Sequence, residues 1–227
     1  MKKRIGILGG ISSESTIKYY DHILKEYYEK YKDYYYPEIV IFSLNFQKFT
    51  NFENSSRKDY IHYITEGIRA LENAGVDFAL MAANSPHAVF YEVEERSNVP
   101  LISIVEVTAE KACQKDVKTA LLLGIKFTMQ SSFYQEGFKE YGISVTVPSL
   151  KEQKKIDRII FKELVRGVFK EESRKYLLTV IRTYKVDSVI LGCTELPLLL
   201  EQKEVKITLL NTLELHAEAA LDYALSF

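Results

Sequence analysis

The 227-residue sequence lacks the features that would place a protein in a membrane or on nucleic acid. No apolar run approaches the ~20 residues that a membrane-spanning helix needs. The formal net charge is -1, so no broad electrostatic attraction draws the chain to nucleic acid or to an anionic membrane. We expect neither partner, and we predict a soluble, cytoplasmic globular protein with one large domain or two smaller ones.

Cysteine and histidine are also scarce. Cys113 and Cys193 are far apart in the chain, which predicts neither a disulfide framework nor a close metal-ligand spacing. We therefore expect two reduced thiols, no metal and no organic cofactor. The basic N-terminus MKKRIGILGG holds only about five apolar residues before two glycines, which fits a buried first strand better than a signal peptide.

What the sequence does contain is an alternation of strands and helices. Arg4–Leu8, Glu38–Leu44 and Val76–Met81 are apolar and β-prone, and amphipathic helical patterns lie between them. One of these helices is predicted from Arg57 to Ala74, with Gly75 as its stop. Continuous apolar strands between amphipathic helices predict an α/β fold whose mostly parallel sheet is covered on both faces.

An internal repeat divides the chain into two similar halves. The segment VDFALMAANS from Val76 resembles VDSVILGCTE from Val186, and IGILG from Ile5 resembles ALLLG from Ala120. We predict two pseudo-symmetric lobes, residues 1–100 plus 208–227 and residues 101–207. Ligands of such sheets bind beyond the carboxyl ends of the strands, so we expect the site in a cleft between the lobes.

The repeat aligns Ala83 with Cys193, so one lobe places a thiol where the other places a methyl group. Cys193 follows a buried strand and precedes a predicted helix start, where free N–H groups and the helix dipole lower a thiol pKa from about 8.5. Such a thiolate acts as a base or a nucleophile; the alternative is a small, buried apolar cysteine. Cys113 lies inside a helical pattern, and we expect it to pack.

Polar residues at the predicted strand ends suit a bound carboxylate. Asn84, Ser85 and Thr194 offer donors there, although capping of the following helices is an alternative role. Ser12 belongs to a third such turn, Gly9-Gly10-Ile11-Ser12, which lacks any nucleotide-binding pattern. His87 and His216 stand alone on helical patterns and are expected to be hydrogen-bonded structural residues.

Several ordered motifs together resemble the aspartate/glutamate racemase family over almost the whole chain. They are GGISSEST followed by Tyr19-Tyr20, NSPH from Asn84, Gly124 through Thr128-Met129 with Phe133-Tyr134, IIFKEL with Gly167, GCTE from Gly192, and Asn211-Thr212 with Leu215-His216-Ala217.

The resemblance implies a reaction and roles for single residues. It implies a cofactor-independent racemase, commonly a homodimer, in which one thiol per lobe moves the Cα proton of aspartate or glutamate. Cys193 would be the remaining thiol, and Asn84, Ser85, Thr128 and Thr194 would bind the substrate carboxylate. Arg166 would hold a second carboxylate, with Gln47 and Lys48 as weaker candidates.

Three positions depart from the family pattern: Ala83 in place of the first cysteine, Ile125 in place of threonine and Asn211 in place of aspartate. An alanine transfers no proton, which leaves three explanations. Ala83 is natural, as in some relatives with a broader substrate range; it is an engineered change; or the chain performs a one-base reaction such as that of arylmalonate decarboxylases. A non-catalytic protein that binds an acidic amino acid is a further alternative.

Overall fold

A computed structural model describes residues 2–226 of the chain. The strands are, in chain order, β1 (Ile5–Gly9), β2 (Ile39–Ser43), β3 (Phe78–Met81), β4 (Leu101–Ile102), β5 (Thr119–Gly124), β6 (Ser144–Thr146), β7 (Ser188–Gly192) and β8 (Thr208–Asn211). The α-helices are α1 (Ser13–Tyr31), α2 (Phe46–Glu53), α3 (Arg57–Asn73), α4 (Phe90–Glu94), α5 (Ile104–Gln114), α6 (Lys126–Gln130), α7 (Phe133–Lys139), α8 (Leu150–Lys162), α9 (Glu171–Thr183) and α10 (Thr212–Leu225). Short 3-10 helices lie at Ser85–Val89, Leu164–Arg166, Leu196–Leu198 and Gln202–Glu204.

The chain forms two compact units. Unit 1 runs up to Ile104 and resumes at Leu213, whereas unit 2 is the continuous segment Val105–Thr212. Both borders fall a few residues later than the sequence repeat suggests. The reason is strand pairing, because β4 pairs with β3 in the first sheet and β8 pairs with β7 in the second.

Unit 1 contains a parallel sheet of order β2-β1-β3-β4. One face of this sheet packs against α3 through Ile64, Ile68 and Leu71. The other face packs against α1 and α10, which contribute Tyr19 and Leu221 among others. Helices therefore cover both faces, as the continuous apolar strands predict. Helix α3 ends at Asn73, and Gly75 has a φ of 78°, a left-handed conformation that suits glycine at a helix stop.

Unit 2 contains a parallel sheet of order β6-β5-β7-β8. Leu121, Leu123, Val189 and Leu191 from its central strands belong to a hydrophobic core that α8 and α9 cover. Helix α8 begins with a capping box in which the side chains of Ser149 and Glu152 each accept from the other's backbone N–H.

The two sheets repeat one topology, and the register confirms the sequence repeat. Ile5 of β1 pairs with Phe78 of β3, and Ala120 of β5 pairs with Ser188 of β7. The sequence repeat predicts this correspondence, because it aligns Ile5 with Ala120 and Phe78 with Ser188. Met81 and Leu191, which precede the candidate turns, therefore hold equivalent places near the carboxyl ends of β3 and β7.

Within residues 2–226 no helix combines the length and the apolar character needed to cross a bilayer. The prediction that Cys113 packs inside the protein is wrong. This thiol is exposed, in the last turn of α5.

Candidate active site

Cys193 lies directly after β7, at the carboxyl end of the central strands of unit 2. The strand ends approach closely there, since a Cβ atom added to Gly124 would lie 2.9 Å from the carbonyl oxygen of Gly192. Thr128, on α6, packs beside both glycines. The backbone thus carries Cys193 into a buried position at the edge of the sheet that ligands of parallel sheets use.

The Cys193 thiol meets a carboxylate rather than a helix end. Its Sγ donates to Oε2 of Glu195 over 3.0 Å, and the Thr194 hydroxyl donates to the same oxygen over 2.8 Å. The predicted helix start is wrong, because only the three-residue 3-10 helix Leu196–Leu198 follows. Glu195 is 4% exposed and was missed as a functional candidate, although it stands within the GCTE motif.

Thr128 carries a buried hydroxyl beside the two glycines. The residue is fully buried, and its Oγ1 has no hydrogen-bond partner among residues 2–226. A buried hydroxyl without a partner destabilises the folded state by about 1–3 kcal/mol. The presence of such a hydroxyl beside Gly192 therefore suits a group that hydrogen-bonds to a ligand.

Arg166 ends the 3-10 helix Leu164–Arg166, and its side chain is exposed. Gly167 follows in a left-handed conformation with a φ of 68°. This position leaves the guanidinium accessible to a solute, in keeping with a role in holding an anion.

In unit 1, Ala83 holds the place equivalent to that of Cys193. It follows β3 and packs within the hydrophobic cluster that contains Met81 and Val89. Asn84 and Ser85 come next and are both buried. The Asn84 side chain does not cap the 3-10 helix Ser85–Val89, so the capping alternative is wrong for this residue.

The turn after β1 is fixed by the residues that follow it. Ser12 caps α1 by accepting from the N–H of Ser15, and its φ of 35° is unusual for a residue with a side chain. The N–H of Gly10 donates to Oγ1 of Thr16 over 2.9 Å, while the Ser15 hydroxyl donates to the carbonyl of Ala82 over 2.6 Å. These bonds tie the Ser12 turn to the strand end that carries Ala83.

A cluster of three polar side chains adjoins that strand end. The Tyr60 hydroxyl donates to Oε1 of Glu53 over 3.2 Å, and the Ser85 side chain lies close enough to influence the pKa of both residues. Burial raises the pKa of Glu53, although the side chains of Ser85 and Tyr60 lower it. We call Glu53, Tyr60 and Ser85 the carboxyl cluster. Glu53 and Tyr60 belong to no motif, so no pattern in the sequence points to them.

The two buried histidines are structural, as predicted. The Ile104 N–H donates to Nε2 of His87, whose Nδ1 therefore donates to the carbonyl of Ala83. His216 is bonded on both nitrogens, to the Tyr19 hydroxyl and to the carbonyl of Ile102. Burial lowers the pKa of His87 well below its ordinary value and that of His216 to about 4, which keeps both rings neutral.

Gln47 and Lys48 lie on the exposed first turn of α2. The Gln47 amide donates to Oδ1 of Asn51, and the Lys48 backbone N–H is capped by Asn45. The Lys48 ammonium is thus exposed near the carboxyl end of β2.

A possible metal-binding group lies elsewhere in unit 1. His22, Glu26 and Glu218 place their ligand atoms within 4.8 Å of one another. Glu218 raises the pKa of His22 and lies 3.8 Å from its Nε2. Because ion pairing explains this proximity, we assign no metal to these residues.

Comparison with known proteins identifies the protein family to which this chain belongs. The family model described as Asp/Glu/hydantoin racemase matches residues 8–220. The chain belongs to this family. The match spans both units, from the end of β1 into α10.

Individual relatives of this racemase-family chain agree with that assignment. It is 38% identical to an aspartate racemase homologue from Pyrococcus horikoshii OT3, with a TM-score of 0.88 and full coverage of both chains. A putative Asp/Glu racemase from Yersinia pestis gives a TM-score of 0.92 at 29% identity, over 99% of this chain and 100% of that one. The broad specificity amino-acid racemase RacX of Bacillus subtilis is 24% identical over 98% of this chain and 99% of its own length. These relatives support an enzyme of the amino-acid racemase class.

Proposed function

We propose that this chain is a cofactor-independent racemase that moves the Cα proton of an acidic amino acid, aspartate or glutamate. The observation that carries the proposal is the 3.0 Å hydrogen bond from the Cys193 thiol to Glu195. A carboxylate in that place accepts the thiol proton and leaves a thiolate, which then removes the Cα proton as a general base. Membership of the racemase family supports this class of reaction.

The carbanion formed at Cα needs hydrogen-bond donors around the substrate carboxylate. We propose Ser12, Asn84, Ser85, Thr128 and Thr194 for this role. The buried Thr128 hydroxyl supports it most directly, because a bound carboxylate would satisfy an otherwise unpartnered donor. We propose that Arg166, with Gln47 and Lys48, receives the side-chain carboxylate; the exposure of all three supports this part.

Ala83 limits the proposed reaction. Its methyl group transfers no proton, so Cys193 is the sole thiol acid/base of this enzyme. Loss of one of two matched acid/base groups costs about 10²–10⁴-fold in rate. We therefore propose a slower interconversion than that of a racemase with a cysteine at both positions.

We further propose that the enzyme is a cytoplasmic homodimer. The stretch of residues 27–36 exposes several aromatic rings, namely Tyr28, Tyr31, Tyr34, Tyr35 and Tyr36. Exposed tyrosines of this density favour a contact between two copies of the chain. Light scattering coupled to size exclusion tests this, and a purely monomeric species at micromolar concentration would contradict it.

The reaction is tested with each enantiomer of aspartate and glutamate in D₂O. Chiral chromatography measures the interconversion of the enantiomers, and proton NMR measures the loss of the Cα proton. The expected result is conversion of either enantiomer toward an equal mixture, abolished by Cys193→Ala. The matched control is Cys113→Ala, which removes the exposed thiol and should leave the interconversion unchanged.

Other outcomes separate the alternatives. Heat of binding with aspartate in a titration calorimeter, without deuterium exchange, would favour a binding protein over an enzyme. Release of CO₂ from an arylmalonate, without interconversion of amino acids, would favour the one-base decarboxylase that Ala83 makes possible.

A further inference from the structure

Strand β2 forms one edge of the sheet of unit 1. Within residues 2–226 its paired strand is β1 alone, and the N–H of Ile5 donates to the carbonyl of Glu38 while the N–H of Leu44 donates to that of Gly9. Because alternate residues of a strand bond to the same neighbour, the remaining residues of β2 direct their N–H and C=O groups away from β1. These residues are Ile39, Ile41 and Ser43. Such an outward row of donors and acceptors suits pairing with a further strand.

The edge formed by β2 is apolar and uncharged. Ile41 and Phe42 are 41% and 40% exposed, and no Lys, Arg, Asp or Glu occurs from residue 39 to residue 47. Proteins protect a free edge strand with charges, with proline or by keeping the strand very short. The equivalent edge of unit 2 has this protection, because β6 is three residues long, carries two hydroxyl side chains and is soon followed by Pro148. The β2 edge therefore suits burial against another strand.

The sequence of β2 is complementary to itself when two copies run antiparallel. A two-fold axis at Ile41 places this residue opposite its own copy and places Val40 opposite Phe42 of the other copy. Both kinds of cross-strand pair are apolar, and the outward-directed residues form the pairs that exchange two hydrogen bonds. Glu38, at the entry to β2, accepts from Arg4 of its own chain, so like charges do not meet at the axis. These features favour a second copy of the chain as the partner.

Exposed aromatic side chains lie along the chain on both sides of β2. Tyr34 stacks on Tyr28 of α1, and Tyr36 packs edge-on against Tyr27. In the antiparallel arrangement these tyrosines lie beside the carboxyl end of the other copy's β2, which Phe46 follows. With about 200 Å² for each large side chain, the six most relevant residues expose about 650 Å², within the roughly 600–1,000 Å² that each partner of a stable interface buries. They are Tyr34, Tyr35, Tyr36, Ile41, Phe42 and Phe46.

We infer that two copies of the chain join edge to edge through β2, antiparallel about a two-fold axis at Ile41. The sheet of unit 1 in one copy then continues into the same sheet of the other copy. This inference rests on the homodimer of the proposed function and deepens it, because it names the strand and the register of the contact. The tyrosines of residues 27–36 flank this contact rather than form its centre.

Light scattering coupled to size exclusion tests the contact in the full-length chain. Ile41→Lys places two cations opposite each other at the axis, and like charges opposite each other on paired strands destabilise the pairing. The mass of this variant should fall to half that of the wild-type dimer. Circular dichroism should show an unchanged fold, because Ile41 is exposed. The matched control, Thr146→Lys, adds the same charge at an exposed residue of β6 and should keep the wild-type mass.

Disulfide formation tests the register of the two strands. The background variant is Cys113→Ala, which removes the exposed native thiol. In this background Ile41→Cys should form a covalent dimer on oxidation, because directly opposite residues have Cα atoms about 5.5 Å apart, within reach of a disulfide. Ser43→Cys should not, since Ser43 lies opposite residue 39 of the other copy and the two new thiols would be about 14 Å apart.

The possible outcomes separate the inference from the homodimer proposal. A dimer that persists in Ile41→Lys, or covalent dimers from Ser43→Cys and none from Ile41→Cys, would overturn the inference and leave a homodimer with another interface. A monomeric wild-type protein would overturn both. If Ile41→Lys loses its fold, the comparison of Ile41→Cys with Ser43→Cys decides, and equal yields of covalent dimer from these two variants would overturn the register.

Discussion

The Sγ atom of Cys193 lies 3.0 Å from Oε2 of Glu195, and this carboxylate also accepts from Thr194. Thiol and carboxylate are both buried, so water does not compete for the proton between them. We predict that Glu195→Gln keeps the geometry but removes the proton acceptor, and that it lowers interconversion by about 10²–10⁴-fold. Steady-state rates measure this. Glu201→Gln, at an exposed position in the same loop, should stay at the wild-type rate.

The two cysteines offer a matched pair for testing the thiol. Cys193→Ser should abolish interconversion, because a serine hydroxyl is a far weaker acid than a thiol. Cys113→Ser should leave the rate unchanged, since that thiol is exposed at the end of α5. Chiral chromatography of both variants measures the difference. Equal activity in the two variants would remove Cys193 from the mechanism.

Ala83→Cys should raise interconversion by about 100-fold or more, because it restores a second matched acid/base group. The added sulfur replaces a hydrogen at a buried position, so thermal unfolding must accompany the assay. A variant that folds normally and shows no gain in Cα exchange would argue against a two-base reaction.

Thr128→Val should separate stability from binding. Removing an unpartnered buried hydroxyl should raise the free energy of unfolding by about 1–3 kcal/mol. Loss of a donor to a charged carboxylate should raise KM by about 10–100-fold. Ser188→Ala is the control, since the buried hydroxyl of Ser188 also lacks a hydrogen-bond partner among residues 2–226, but Ser188 begins β7 at the opposite end from Cys193. It should stabilise the fold without changing KM.

His216 should make stability depend on pH. Its folded pKa of about 4 lies below the unfolded value of about 6.5, so the unfolded state binds more protons between these values. The contribution is therefore complete above pH 6.5 and is lost as the pH falls toward 4, by on the order of 3 kcal/mol. Urea unfolding of wild type and His216→Gln at about pH 7, 5.5 and 4 measures a difference in the free energy of unfolding that should shrink at low pH.

His22→Gln is the contrasting variant for that experiment. Glu218 raises the pKa of His22, so its contribution is present at low pH and is lost as the pH rises above its ordinary value. The destabilisation of this variant should therefore grow as the pH falls, opposite in sign to that of His216→Gln. Parallel curves for the two variants would contradict both assignments.

The fold was predictable because the sequence patterns that indicate it are local in the chain and occur in both halves. Apolar strands such as Val76–Met81 indicate burial on both sides, and the match between the segments at Val76 and Val186 indicates the shared strand order. The domain borders were less accessible, since pairing of β4 and β8 depends on contacts that no short pattern encodes.

The candidate site likewise has residues that the sequence predicts and residues that it does not. Cys193 and Thr194 follow a strand directly, so their placement is a matter of counting along the chain. Glu53 meets the Tyr60 hydroxyl only because α2 and α3 pack against each other, and a lone glutamate gives no periodic signal. Glu195 was not predicted as a site residue for another reason. The sequence indicated a helix start after Cys193, and capping of that helix was one of the roles expected for the neighbouring Thr194.

Helix α10 has a consequence for how the chain is made. It contributes Leu213, Ala217 and Leu221 to the core that also buries Ile5 and Phe78. The ribosome releases all of unit 2 before this helix emerges, so unit 2 has its complete set of strands first. During that interval the face of the first sheet that contains Ile5 and Phe78 lacks the part of its apolar cover that α10 supplies.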